Sequence, residues 1–317
     1  FTHAPQLLGD VVRIAPDGTP FTLAIAFGFV RNEGNAWSWI SDHLTRTIDA
    51  HTPAVPSEAS ESDLLSDCEA VVAAIGRRLG EMHAILMQES SDPAFAPKVA
   101  AGDDAENWAR KTEERIHLAF EGIARLQTWE REQDRERAEM LQGQLNSILD
   151  AVRMLASFGV GMIMTRVHGD FHLGQVLVAD GDAYIIDFEG EPAAPIAERR
   201  AKTSPLRDVA GLLRSIDYVG ATLSDRKGVG AMPMDEGRRD QLVSQFRTRV
   251  STAFLRAYRD ATRMRASAAG RALLDLFLIE KAAYEIAYEA ANRPSWIGVP
   301  LAGLARLAGR ILQRNRA

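Results

Sequence analysis

Residues 166–192 read RVHGDFHLGQVLVADGDAYIIDFEGEP, and this stretch sets acids, two histidines and a glutamine around two short apolar runs. Asp180-Gly181-Asp182 is a strong turn signal between VLVA and YIID, so the stretch reads as a β-hairpin with strands Gln175–Ala179 and Tyr184–Asp187. A bend centred on Gly181 places Gln175 opposite Asp187 at the open end of the ribbon. Val176, Val178, Ile185 and Ile186 then fill its interior. His168-Gly169-Asp170 enters at that rim and Phe188-Glu189-Gly190 leaves it. Asp170, Asp187 and Glu189 are thereby expected to crowd together beside an amide oxygen. Such crowding is unfavourable unless a cation or protons intervene. Oxygen donors of this kind suit Mg2+, which keeps waters and substrate phosphates in its shell. The plain alternative is a surface hairpin with solvated acids.

Outward from the hairpin, the chain of 317 residues is ordinary in bulk, with 46% hydrophobic and 25% charged residues. Its net charge of -6 opposes long-range attraction to nucleic acid or an anionic membrane surface. No apolar run approaches the ~18 residues of a spanning helix. The single Cys68 excludes an intrachain disulfide and fits a reducing compartment, so a cytoplasmic location is expected.

Two β-like runs, Val11 to Ile14 and Phe21 to Val30, flank Pro16-Asp17-Gly18. The Pro-, Ser- and acid-rich segment 51–63 reads as a loop. Helices are expected over Leu64 to Gln88, 103–129 and 132–158, and throughout from Ser204 onward. Pro205 and Pro300 each suit a first helical turn. In the helix expected over 270–296, Phe277, Lys281, Tyr284, Glu285, Tyr288 and Asn292 fall on one stripe about 100° wide. Rings mixed with Lys, Glu and Asn suit a sugar better than a core, because rings cover the apolar faces of pyranoses while polar groups bond hydroxyls. An exposed face with a Lys281–Glu285 pair is the alternative.

HGDFHLGQ followed by IDFEGEP resembles the catalytic and metal-binding motifs of kinase-like small-molecule phosphotransferases. With ERRAKTSPLRDVAGLLRS added, the chain is similar more narrowly to maltokinases, including those fused behind trehalose synthase, and to the related actinobacterial glucosamine kinases. One departure is Gln175 where the wider superfamily has Asn. The resemblance implies an α+β, protein-kinase-like fold. A shortened β N-lobe and hinge would occupy 1–35. A large, mainly helical C-lobe would occupy 36–317, with the catalytic loop at 166–192 and a sugar-binding helix at 270–296.

The resemblance also implies roles. Asp170 is the catalytic aspartate that accepts the sugar hydroxyl proton or orients the hydroxyl. Asp187 and Gln175, with Glu189, hold Mg2+ against ATP. His168 and Asp208 brace the loop. His172, Lys281, Tyr284, Glu285, Tyr288, Asn292 and Trp296 meet the sugar. Backbone groups of Ala26, Phe27, Gly28 and Phe29 form the adenine hinge. Arg199, Arg200 and Lys202 face phosphate or sugar, or solvent. The implied reaction makes maltose 1-phosphate, with trehalose synthase as a fusion or complex partner; a glucosamine or other sugar kinase and a non-catalytic sugar-binding domain are the alternatives. Kinase-like enzymes use an early lysine on the ATP phosphates. The five lysines here are 98, 111, 202, 227 and 281. None precedes the hinge, so a fragment lacking the amino-terminal cap is expected.

Overall fold

The computed structural model describes residues 1–50, 58–224 and 236–314. The chain forms two compact units, Phe1–Ile85, Leu173–Phe188 and Arg226–Arg263 in one, and Leu86–His172, Glu189–Asp225 and Met264–Ala317 in the other. This division runs across the boundary expected at residue 35.

The first unit opens with antiparallel strands β1 (Leu7–Ile14) and β2 (Pro20–Phe27), followed by helices α1 (Ala36–Ala50) and α2 (Glu58–Leu86). α2 starts well before Leu64, inside the expected loop; residues 51–57 lie outside the described residues. Every residue of β2 is exposed, because two strands alone have no second layer to cover them. Strands β5 (Val176–Ala179) and β6 (Asp182–Ile185) and helix α8 (Glu236–Thr262) complete the unit. Its core joins Ile40 and Leu44, Leu65, Val72, Ile75 and Leu79, and Phe246, Val250 and Phe254, all fully buried. Val176, Val178 and Ile185 belong to it as expected.

The β5–β6 ribbon corrects the expected register by one residue. Ala179 pairs with Asp182, so the loop is the two-residue Asp180-Gly181, with φ of 50° and 72°. Positive φ at both centres matches the right-handed twist of a tight hairpin, which is why Asp-Gly occupies them. The ribbon is flanked on both edges: Val178 bonds the backbone of Glu33 and Gly34, and Ile185 N–H donates to His3 O at 2.8 Å. Its turn is tied to α2 by Arg78, which donates to both oxygens of Asp182 at 2.9 and 2.5 Å. That guanidinium pulls the Asp182 carboxyl down to about 2. α2 and α8 approach closely at Gly76, where an added Cβ would overlap the carbonyl oxygen of Phe254. His83, fully buried, meets the Tyr258 hydroxyl at 3.0 Å. Cys68 is buried and its thiol is pushed up to about 12 by desolvation, which removes its nucleophilic character.

The second unit is built around α9 (Ala268–Asn292), on which α3 (Gly102–Ala124), α5 (Leu145–Ser157), α7 (Leu206–Ser224) and α10 (Gly298–Arg314) pack. α4 (Glu132–Gly143), the single turn α6 (Ile196–Arg199) and the two-residue strands β3 (Lys98–Val99) and β4 (Ile163–Met164) fill in the rest. The span 132–158, expected as one helix, is two, broken at Gln144. Ser204 caps α7, accepting from Leu206 N–H, and Pro300 sits in the first turn of α10.

Gly76→Ala should lower stability by about 1–3 kcal/mol in urea denaturation through overpacking. Gly143→Ala, whose Cβ meets nothing within 4 Å, should stay within about 0.5 kcal/mol of the parent. Because Asp182 is depressed in the folded chain, its contribution is present above its ordinary value of 3.8 and is lost as pH falls towards 2. Asp182→Asn should therefore flatten the acid limb of a melting-temperature profile between those values.

Candidate active site

The loop before the ribbon is held by α7. Asp208, in the first turn of that helix and 1% exposed, accepts from His168 N–H at 2.7 Å and Gly169 N–H at 2.9 Å. His168 is itself buried, takes a long bond from Asp170 N–H at 3.4 Å and sets its ring edge-on to Phe171. From the other side, Gly211 of α7 leaves room for the Phe171 carbonyl, which any Cβ there would overlap.

So fixed, Asp170 lines a cleft of about 60 Å³ with Glu191, Lys281 and Tyr284. Lys281 Nζ lies 3.5 Å from Asp170 Oδ1 and 3.9 Å from Glu191 Oε2, and His172 Nε2 lies 3.9 Å from Asp170 Oδ2. Tyr284 is flanked by the cations of Arg115 and Lys281, each 5.0 Å from its ring centre. Burial, with the charges of Glu191 and Asp170, pushes the Tyr284 hydroxyl above its ordinary value, so it stays a hydrogen-bond donor at neutral pH. Arg207, on the same wall, donates to Glu280 at 2.7 Å.

The stripe on α9 divides. Lys281 and Tyr284 reach the cleft, whereas Tyr288, Asn292 and Trp296 do not line it. Asn292 is spent on the Tyr288 carbonyl, and Trp296 stacks on Tyr218. Glu285 is a correction: 8% exposed, it takes two bonds from the buried Arg214 of α7 at 2.8 and 2.6 Å. One residue further round the helix than Tyr284, it is turned by about 100° into the helix packing. Phe277 is 1% exposed and edge-on to Trp108, and forms part of the cleft wall. Arg115, Glu191 and Arg207 were missed, because no local motif marks a residue whose partner comes from a distant helix.

In the first unit, Gln175 Nε2 donates to Asp187 Oδ2 at 2.9 Å. The shifted register would have put Gln175 beside Ile186, which does bond its carbonyl at 3.0 Å. Asp187 still meets the side chain because its backbone adopts φ of 63°, a conformation rare outside glycine and tolerated by Asp. An exposed carboxylate beside an amide fits Mg2+ as hard oxygen donors, once the amide turns its oxygen inward. Among the described residues, however, no three His, Cys, Asp or Glu side chains gather as a metal-holding group, and Glu189 is exposed two residues on. In the expected hinge, Ala26 and Phe27 pair with β1, Gly28 N–H is taken by Gln6 O at 2.7 Å, and Phe29 is 91% exposed. Gly28 thus has no N–H to offer a purine. No helix among the described residues is long and apolar enough to cross a membrane.

The model of the phosphotransferase enzyme family APH matches residues 50–197. A glucosamine kinase of Streptacidiphilus jiangxiensis is 28% identical over 221 residues, 69% of this chain and 44% of that protein. One of Mycolicibacterium smegmatis is 28% identical over 278 residues, 84% of this chain and 62% of that protein. The chain therefore spans less than two thirds of the length of either relative. Among solved structures, a glucosamine kinase in complex with glucosamine, ADP and inorganic phosphate superposes with a TM-score of 0.77 at 24% identity, over 100% of this chain and 71% of that one. A second crystal form gives 0.74 at 25% identity, over 98% and 67%. The chain therefore has the kinase-like fold of these solved structures, and the HGD loop and the ribbon that follows it lie within the stretch that matches the APH model.

Proposed function

We propose that this chain carries the transfer machinery of an ATP-dependent kinase whose acceptor is a hydroxyl of an amino sugar. The observation that carries the reading is the position of Asp170 in a cleft with Lys281 and Glu191, on a loop that Asp208 fixes. Transfer through a loose transition state asks mainly for alignment and charge neutralisation. The acceptor hydroxyl oxygen forms the new bond to the γ-phosphorus, the bond from that phosphorus to the bridging oxygen breaks, and ADP leaves. The hydroxyl proton passes to Asp170. Lys281 keeps the Asp170 carboxylate in place and offsets negative charge that gathers beside it. Asp187 and Gln175 are the residues that would hold Mg2+, which supplies charge neutralisation on the phosphates when bound.

The choice of acceptor departs from maltose. Glucosamine kinases are the relatives in hand, and Glu191 gives the cleft a carboxylate able to take an ammonium group. Nothing on α9 or just beyond it favours a disaccharide, since Tyr288, Asn292 and Trp296 do not line the cleft. The trehalose synthase partner expected with maltose lapses with it.

A coupled ATP-consumption assay over glucosamine, glucose and maltose tests this reading. Turnover is expected with glucosamine above the other two, and a preference for maltose would overturn it. Glu191→Gln should raise KM for glucosamine about tenfold while leaving KM for glucose within about twofold, as for a lost charge-assisted hydrogen bond. Asp170→Asn should reduce kcat by about 10²- to 10⁴-fold with little change in sugar affinity by calorimetry.

A further inference from the structure

A second, larger cleft of about 600 Å³ lies in the same unit and shares Arg115, Gly169, Glu191 and Arg207 with the walls of the Asp170 cleft. A molecule that sets a hydroxyl at Asp170 therefore has a way into it. Its charge is opposite to that of the chain. Eight Lys and Arg residues line it against three carboxylates, while the whole sequence has 37 basic and 43 acidic residues.

Three of those cations are matched: Lys98 by Asp104 at 2.8 Å, Lys111 by Glu198 at 2.6 Å, and Arg207 by Glu280 at 2.7 Å. The other five, Arg115, Arg166, Arg199, Arg200 and Lys202, form no ion pair among the described residues. Two of these are positioned by neutral acceptors: Arg166 donates to Arg200 O at 2.8 Å and Lys202 to Pro93 O at 2.7 Å. Backbone carbonyls fix a cation without cancelling its charge. Arg199 reaches Glu189 O at 3.4 Å through Nη1, while its buried Nε has no hydrogen-bond partner. Dispersed surface cations of this kind are ordinarily solvated and contribute little. Five of them converging on one concavity of an acidic protein build a local positive field that a bound anion can use.

We propose that this basic cleft binds an anionic substituent, phosphate or carboxylate, carried by the acceptor sugar, so that an acidic derivative of a sugar is preferred over the same sugar without the anion. The proposal rests on the acceptor reading above, because it takes the Asp170 end of the molecule from there. Arg guanidinium groups suit both anions through paired N–H donors, and Lys202 adds a point charge. Thr203, held by a 3.2 Å hydrogen bond with Trp108 in the same wall, adds a polar group.

The test is calorimetric titration of the full chain without ATP, using glucose, glucuronate, glucose 6-phosphate and inorganic phosphate. Because it reads binding alone, it separates failure of this proposal from failure of phosphoryl transfer. Glucose 6-phosphate and glucuronate should bind about tenfold or more tightly than glucose, as charge-assisted contacts imply. The advantage should shrink as salt is raised. Inorganic phosphate should compete with glucose 6-phosphate. Arg200→Gln with Lys202→Gln should abolish the advantage, Arg200→Lys should keep most of it, and Arg115→Gln on the facing stretch of chain should weaken it independently. Melting temperatures establish that each variant is folded. Equal affinity for glucose and its charged derivatives, or an advantage that the substitutions leave intact, would overturn the proposal.

Discussion

The carboxylate of Asp208 is the contact on which the cleft depends. It is nearly fully buried, and its two oxygens accept the backbone N–H groups of His168 and Gly169. A buried carboxylate is costly unless its charge is met by good donors, and two short amide bonds meet it. The same bonds remove the freedom of the loop one residue before Asp170. The acid that faces the cleft is thus held by a helix rather than by the loop on which it lies. Ser204 capping α7 and Gly211 receiving the Phe171 carbonyl complete the support. Asp208 and Gly211, on one helix, thus meet one short loop.

Charge is sorted with similar economy around α9. Glu285 turns inward to Arg214, whose guanidinium also meets Asp217, so the inner side of the helix is locked by a buried ionic group. Such groups are poor sources of net stability but exclude alternative packings, since any shift strands a charge. Lys281 and Tyr284, on the adjoining edge, are presented to the cleft in consequence. The energetics of the buried side set the chemistry of the open side.

Much of this was legible beforehand. The Asp180-Gly181 turn signal between two short apolar runs marked the ribbon, and the HGD segment marked the loop before it. The register was misread by one residue because a bend centred on Gly181 and a two-residue Asp180-Gly181 loop share one sequence. Helical periodicity found the face of α9 but not how far round it the neighbours reach, so Glu285 was assigned to sugar and is core. The start of α2 was hidden by the polar composition of residues 58–63, where α2 already runs.

The sequence by itself determined the local pieces: the hairpin, the capped helix, the order of acids along the chain and the overall excess of acid over base. Those follow from short-range rules of turn geometry, capping and side-chain period, which act between residues a few positions apart. Only the tertiary structure decided that Lys281 faces Asp170, that Glu191 joins them, and that basic residues from 98 to 207 share one cavity. Those pairings span up to more than a hundred residues, and they are set by which helices pack on α9, a choice made by burial summed over the whole unit rather than by any motif.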